Sequence, residues 1–243
     1  MSELGTPRPK PRRTRADALR NREQILRAAV DLILEQGSAA PMELVARRAK
    51  VGIATLYRHF PDRSVLLREV ALYTLRTSAE EARTALAEEP DAFTALARYM
   101  HDSIDLRIGA VMPALVERIP MDDEVMEARR LCREAHDALA VAAHEEGSLR
   151  SDVTAGDISL LIIRFAPPLP GMISAEDNHR LSHRHLELML DGLLRFLSNE
   201  KLPGPAMSFE ELMERGPLPG QDYARITNQI RARERARWWN RDS

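Results

Sequence analysis

The sequence predicts an all-α protein, and three observations carry that expectation. Ala, Leu, Arg and Glu dominate its 243 residues while aromatic residues make up only 5%, a composition of helix formers rather than of packed strands. Runs of β-branched residues are few. Apolar positions recur every three or four residues along long segments, and those segments are punctuated by Gly37, Pro41, Pro61, Pro90, Gly147 and the Pro-rich stretch 166–171.

Composition narrows the class further. Apolar content of 44% and charged content of 30% are ordinary for a globular protein. The length suits one large domain or two small ones. A single cysteine, Cys132, excludes an intramolecular disulfide and fits a reducing cytoplasm. No apolar run reaches the roughly 18 residues of a membrane span, so no membrane partner is expected. The N-terminal segment is basic without an apolar stretch behind it, unlike a signal peptide. Charge is unevenly placed. Residues 1–63 hold 13 Lys and Arg against 7 Asp and Glu, a net of +6, and the remainder carries −8. A basic head on an acidic body suits a protein that lays one end on nucleic acid.

In chain order, residues 1–15 form a basic arm with Arg8, Lys10, Arg12, Arg13 and Arg15 between prolines. It reads as a solvated tail or as an arm following a DNA backbone or minor groove. The first helix spans about 17–36, with Leu19, Leu26, Ala29 and Ile33 as its apolar stripe and Gly37 as its stop. Pro41 opens the second helix. The stretch from Met42 to Phe60 then reads as two short helices around a turn at Lys50-Val51-Gly52. Val45, Ala49, Val51 and Leu56 sit at the offsets packed helices need, and Ala46 is small where they cross. Leu56 and Phe60 point inward at i, i+4, while Thr55, Tyr57, Arg58 and His59 point out. This is the pattern of a helix-turn-helix, whose second helix enters the DNA major groove.

The run Val51-Gly-Ile-Ala-Thr-Leu-Tyr-Arg-His-Phe-Pro-Asp-Arg63 resembles the recognition-helix signature of the tetracycline-repressor (TetR) family, over about residues 19–79. Gly147-Ser-Leu-Arg-Ser-Asp-Val-Thr-Ala-Gly-Asp157 resembles a turn before a late helix in many members. The resemblance implies a helix-turn-helix head over 16–79, a helical ligand-binding and dimerisation body over 80–198, and an unusual extension over 199–243. It implies DNA contacts by Lys50, Gly52, Ile53, Ala54, Thr55, Tyr57, Arg58, His59 and Arg63. Tyr57 and His59 match positions that meet phosphates or pack at the backbone, and Thr55 offers a hydroxyl and a methyl to base edges. Lys50 and Ala54 depart from the glycines common at their positions. A Lys at positive φ costs on the order of 1 kcal/mol.

Asp62 caps a fourth helix, about 63–88, which in the family links head to body. Further helices are expected at 91–108, 110–119 (interrupted by Pro113), 122–146, after a cap at Asp152 or Thr154, and at 179–197. The last two have wide apolar faces, and in the family such helices pair with their copies in a homodimer. Residues 200–222 are rich in Pro and Gly, and 222–240 make a basic helix ending in Trp238 and Trp239. That extension reads as a surface-docked tail or as an extra phosphate contact.

Met100, Ile104, Met112, Met126 and Phe165 are the expected lining for an apolar small-molecule effector, and each is equally an ordinary core residue. No cofactor is expected. His179 and His183 lie one helical turn apart. A zinc site needs further ligands on that face, His185 points elsewhere, and only Glu187 is near in sequence, so no metal is expected. Cys132 and His136, also at i, i+4, read as packing. His101-Asp102-Ser103 holds triad residue types, but consecutive helical residues face different ways, so no enzyme is expected. The resulting expectation is a cytoplasmic, dimeric regulator bound to a near-palindromic operator in double-stranded DNA. Repressor is the first reading and activator or ligand-independent binder the second. An all-α ligand-binding protein or enzyme without DNA function is the third.

Overall fold

The computed structural model describes residues 15–165, 174–193 and 202. The basic arm up to residue 14, the break at 166–171, Leu194, Leu197 and the 199–243 extension apart from Leu202 lie outside the described residues. Within them the chain forms α1 (Arg15–Gln36), α2 (Met42–Arg48), α3 (Ile53–His59), α4 (Arg63–Glu88), α5 (Ala92–Asp105), α6 (Ile108–Leu115), α7 (Asp123–Glu146), α8 (Ala155–Phe165) and α9 (Ala175–Leu193). The all-α expectation holds.

The helix ends are where the sequence says they should be, wherever a residue with special backbone chemistry decides them. Gly37 takes φ +82° and Gly147 φ +77°, each closing a helix in the left-handed region. Asp62 accepts from the Val65 amide at 2.9 Å and Asp91 from the Thr94 amide at 2.8 Å, capping α4 and α5. Thr154, rather than Asp152, caps α8. Its hydroxyl accepts from the Asp157 amide at 3.2 Å while Asp157 accepts from the Thr154 amide at 2.8 Å, a reciprocal capping box. Asp152 instead takes Arg150 in a paired contact at 3.0 Å. The Leu202 amide donates to Asp152 at 2.8 Å, which brings the chain beyond α9 back onto the body at that point.

Several expectations need correction. The fifth helix stops at Asp105, not Ile108, because Arg107 adopts φ +54° and starts a new helix at Ile108. No glycine or proline marks that break in the sequence. Pro113 lies inside α6 without ending it, since a proline removes one hydrogen bond that a short, well-packed helix can do without. α9 begins at Ala175, four residues before the expected start at His179. Leu19 is 63% exposed, and among the described side chains of α1 none before Ile25 is buried. On α7 the buried stripe is Val125, Ala128, Cys132, Ala135, Leu139 and Ala143, which turns Leu131 and Val141 to solvent.

α1–α3 pack together as a head over Ile25, Leu26, Ala29, Val45, Ala46, Leu56 and Phe60. α4 leaves this head and runs into the body, where it packs against α5, α6 and, most extensively, α7. α6 lies on α8, and α9 on α5. The α6–α8 crossing is tight at Gly109, where a Cβ would stand 2.7 Å from the Ile162 carbonyl oxygen. Gly109→Ala is therefore expected to push these helices apart and destabilise the fold by about 1–3 kcal/mol. Urea unfolding of the two proteins measures this, and equal midpoints would show that the crossing gives way freely.

Candidate nucleic-acid interface and the core of the body

The two helices α2 and α3 are set by a turn in which Lys50 takes φ +54°. Its amide donates to the Arg47 carbonyl at 3.1 Å and the Val51 amide to the Ala46 carbonyl at 3.0 Å. α3 then hangs on Leu56 and Phe60, both fully buried. With seven residues and two anchors, every other side chain of α3 is directed by the helical period. Gly52, Ile53, Ala54, Tyr57 and Arg58 are exposed, and Thr55 and His59 are half-buried. Tyr57 is 43% exposed and Ile53 40%, a bulky apolar pair left open to solvent on a short helix. His59 packs its ring 6.2 Å from that of Phe60.

The expected DNA-contacting residues of the turn and α3 thus lie at or near solvent, and Arg63 differs in detail. Arg63, at the start of α4, donates to the Ser38 carbonyl at 3.2 Å and is half-buried. It fastens the α1–α2 loop to α4 rather than projecting freely. The guanidinium of Arg22 lies 5.7 Å over the Phe60 ring and also pairs with Glu69, which ties α1 to both α3 and α4.

Below the head, Arg68 joins α4 to the start of α7. It contacts Asp122 at 2.6 and 3.0 Å and Glu124 at 2.7 Å, and Arg76 reaches Glu124 at 2.6 Å. Asp122 is also the cap of α7, accepting from the Val125 amide at 3.1 Å. The arginine holds both carboxyls below their usual range.

In the body, Met100 and Ile104 are core residues, and Met112 and Phe165 pack partly buried against the core. Met126 is 50% exposed and does not belong to that lining, because it follows Val125 on α7 and the helical turn carries it outward. Beside Met100 the structure assembles a polar cluster from three helices. Ser78 of α4 lies 2.9 Å from the Tyr99 hydroxyl of α5 and 3.0 Å from His136 Nε2 of α7. Tyr99 also hydrogen-bonds His136 Nε2, and Cys132 Sγ is 3.4 Å from the same nitrogen. Burial lowers the His136 pKa to about 4 and raises that of the Tyr99 phenol and the Cys132 thiol. His136 is therefore neutral at pH 7, and its Nε2 is shared among Ser78, Tyr99 and Cys132. Sequence reading paired Cys132 with His136 but missed the cluster, whose other members, Tyr99 and Ser78, stand 37 and 58 residues from His136 in the chain.

A short, solvent-open recognition helix set by a tight turn on a three-helix head, joined by one long helix to a helical body, defines a DNA-binding transcriptional regulator. The model of bacterial regulatory proteins of the tetR family matches residues 25–70, and that of the transcriptional regulator SbtR-like C-terminal domain matches residues 91–195. A TetR transcription regulatory protein from Mycobacterium vanbaalenii is 32% identical, over 74% of this chain and 98% of its own, with a TM-score of 0.55. A TetR transcriptional regulator from Streptomyces coelicolor is 31% identical over 71% and 98%, also at 0.55. The ketosteroid transcriptional regulator KstR2 of Mycobacterium tuberculosis shares the fold at 17% identity, over 71% and 94%, with a TM-score of 0.50. No curated protein matches. The chain belongs to the TetR family of transcriptional regulators. Regulators of this family bind DNA and small-molecule effectors, act as dimers and are generally not enzymes. No helix among the described residues is long and apolar enough to cross a membrane.

Two measurements follow from this geometry. Lys50→Gly relieves a left-handed backbone and is expected to raise stability by about 1 kcal/mol, read as a higher urea midpoint; a lower midpoint would show that the Lys50 side chain stabilises the turn. The second concerns His136. Its folded pKa is lowered, so between about pH 6.5 and 4 the unfolded chain takes up a proton that the folded chain does not. Stability is then complete above about 6.5 and falls as pH drops towards 4, by up to about 3 kcal/mol. His136→Gln is expected to flatten that part of the stability–pH curve, and parallel curves for the two proteins would exclude His136 as its source.

Proposed function

We propose that this protein is a cytoplasmic homodimeric repressor that leaves a near-palindromic operator when a largely apolar effector binds its body. The head over 16–79 reads DNA, the body over 80–198 binds the effector and the second subunit, and 199–243 is an appendage. The observation that carries the reading is α3, which buries Leu56 and Phe60 and exposes Ile53, Ala54, Tyr57 and Arg58. In the groove, Ile53, Ala54 and Thr55 meet base edges. Tyr57, Arg58 and His59 meet the flanking backbone, and Lys50 and Gly52 approach phosphate from the turn. Arg63 acts through the loop it holds.

Dimerisation is supported by α8, which leaves Leu160, Leu161 and Ile163 half-exposed, and by Leu188 of α9, exposed on the outer surface. Effector action is supported by the cluster of Ser78, Tyr99 and His136, which joins α4, α5 and α7 within the body. A ligand entering among α4, α5 and α7 has to replace those hydrogen bonds, which calls for an apolar molecule carrying a hydrogen-bonding group. Displacing α7 moves Asp122 and Glu124, hence Arg68 and α4. Release requires only that the effector bind the shifted state more tightly than the DNA-bound one.

Selection of bound fragments from sheared DNA of the source genome tests the reading. One short inverted repeat, bound with a steep salt dependence, is the expected result. Tyr57→Ala is expected to weaken that binding by roughly tenfold or more while the dimer, measured by sedimentation, persists. Unchanged affinity would remove α3 from the interface.

A further inference from the structure

The geometry points to a divalent transition-metal site, of the zinc class, between α5 and α9. Its donors are Asp105, His179 and His183. His183 Nε2 lies 2.8 Å and His179 Nδ1 3.6 Å from the same Asp105 oxygen, and the three donor atoms all fall within 4.8 Å of one another. A tetrahedral zinc ion holds its ligand atoms about 3.3 Å apart, within the span of these separations. Two imidazoles and one carboxylate select a borderline ion such as Zn(II) over Mg(II) or Ca(II), which take oxygen ligands. Three protein donors leave a coordination position for water or another ligand.

A second observation is the hydrogen-bond chain behind His183. His101 Nε2 lies 2.7 Å from Glu187, and His101 Nδ1 lies 2.6 Å from His183 Nδ1, with the two rings parallel to within 1°. The exposed Glu187 carboxylate only accepts. His101 therefore donates through Nε2; in the neutral ring Nδ1 then accepts, and His183 carries its proton on Nδ1. The lone pair on His183 Nε2 then faces the lone pairs of Asp105 at hydrogen-bond distance. Two acceptors in that position repel unless a cation lies between them, either a proton or a metal ion. The same chain is the support that metal-bound histidines use, a carboxylate fixing the ring and its tautomer from behind. Here the carboxylate acts through a second histidine. Metal bound at Nε2 fastens α9 to α5.

The site lies at the surface between these two helices, with Asp105 and His179 exposed and His183 half-buried. His185, two residues along α9, is exposed and has no part in it.

The test uses the full chain, stripped of metal with a chelator and titrated with Co(II), then with Zn(II) in competition. The expected result is one Co(II) per chain with visible d–d absorption, displaced by Zn(II). His183→Ala, Asp105→Asn and His179→Asn are expected to remove that absorption. His101→Ala is expected to weaken zinc binding roughly tenfold to hundredfold, and His185→Ala to leave it unchanged. His179 is the most exposed of the imidazole donors, so its variant keeps the helical circular dichroism and separates loss of metal from loss of fold. Absence of Co(II) uptake overturns the proposal. So does uptake that survives both Asp105→Asn and His179→Asn, or that is lost instead on Cys132→Ser.

Discussion

The structure depends on how closely α4 and α7 approach. Along its 26 residues, about 39 Å of helix, α4 presents Ala71, Ser78, Ala79, Ala82 and Ala85 to its neighbours, and all are buried. α7 answers with Ala128, Cys132, Ala135, Ala140 and Ala143. Small side chains on both faces let the backbones come together, and close helices fill space without large side chains. That is why a chain with so few aromatic residues can bury a continuous core. It also makes α4 a rigid member that belongs to the head at one end and to the body at the other, so that residue 79, where head and body were divided on sequence, falls within one unbroken helix.

A rigid helix shared by two parts needs purchase on both. In the head it is supplied by the Phe60–Arg22–Glu69 contacts and by Arg63 on the Ser38 carbonyl. In the body it is supplied by Arg68 and Arg76 on Asp122 and Glu124. Arg68 also touches Glu69 at 3.3 Å, so the two sets of charges are continuous. These groups are partly exposed and contribute little to stability singly. Together they link the start of α7 to α4, and α4 through Glu69 and Arg22 to the Phe60 ring at the end of α3.

The buried polar groups divide by solvent access. Around His136 desolvation prevails, the imidazole stays neutral, and the cluster is a hydrogen-bond junction in the core. His183 of α9, half-buried, sits instead between His101 and the exposed carboxylate of Asp105. The same residue type thus meets buried hydroxyls on α7 and a surface carboxylate on α9.

Much of this protein was legible in its residues. Helix-turn-helix spacing, the positive φ at Lys50, the Asp62 cap and the full extent of α4 follow from local chemistry, because caps, turns and the 3.6-residue period act between residues close in the chain. The outward face of α3 follows in the same way from the inward pair Leu56 and Phe60. The break at Arg107 did not follow, since a left-handed arginine is imposed by the packing of α6 and not by its own preference. Nor did the outward turn of Met126 or the tether on Arg63. His179 and His183 looked like an incomplete pair because their remaining partners, His101 and Asp105, stand on α5, some 80 residues earlier. Sequence by itself determined the helices and which way the short ones face. Tertiary structure alone decided which distant polar groups meet, because that depends on how helices cross, and crossing angles are set by side chains from both partners at once.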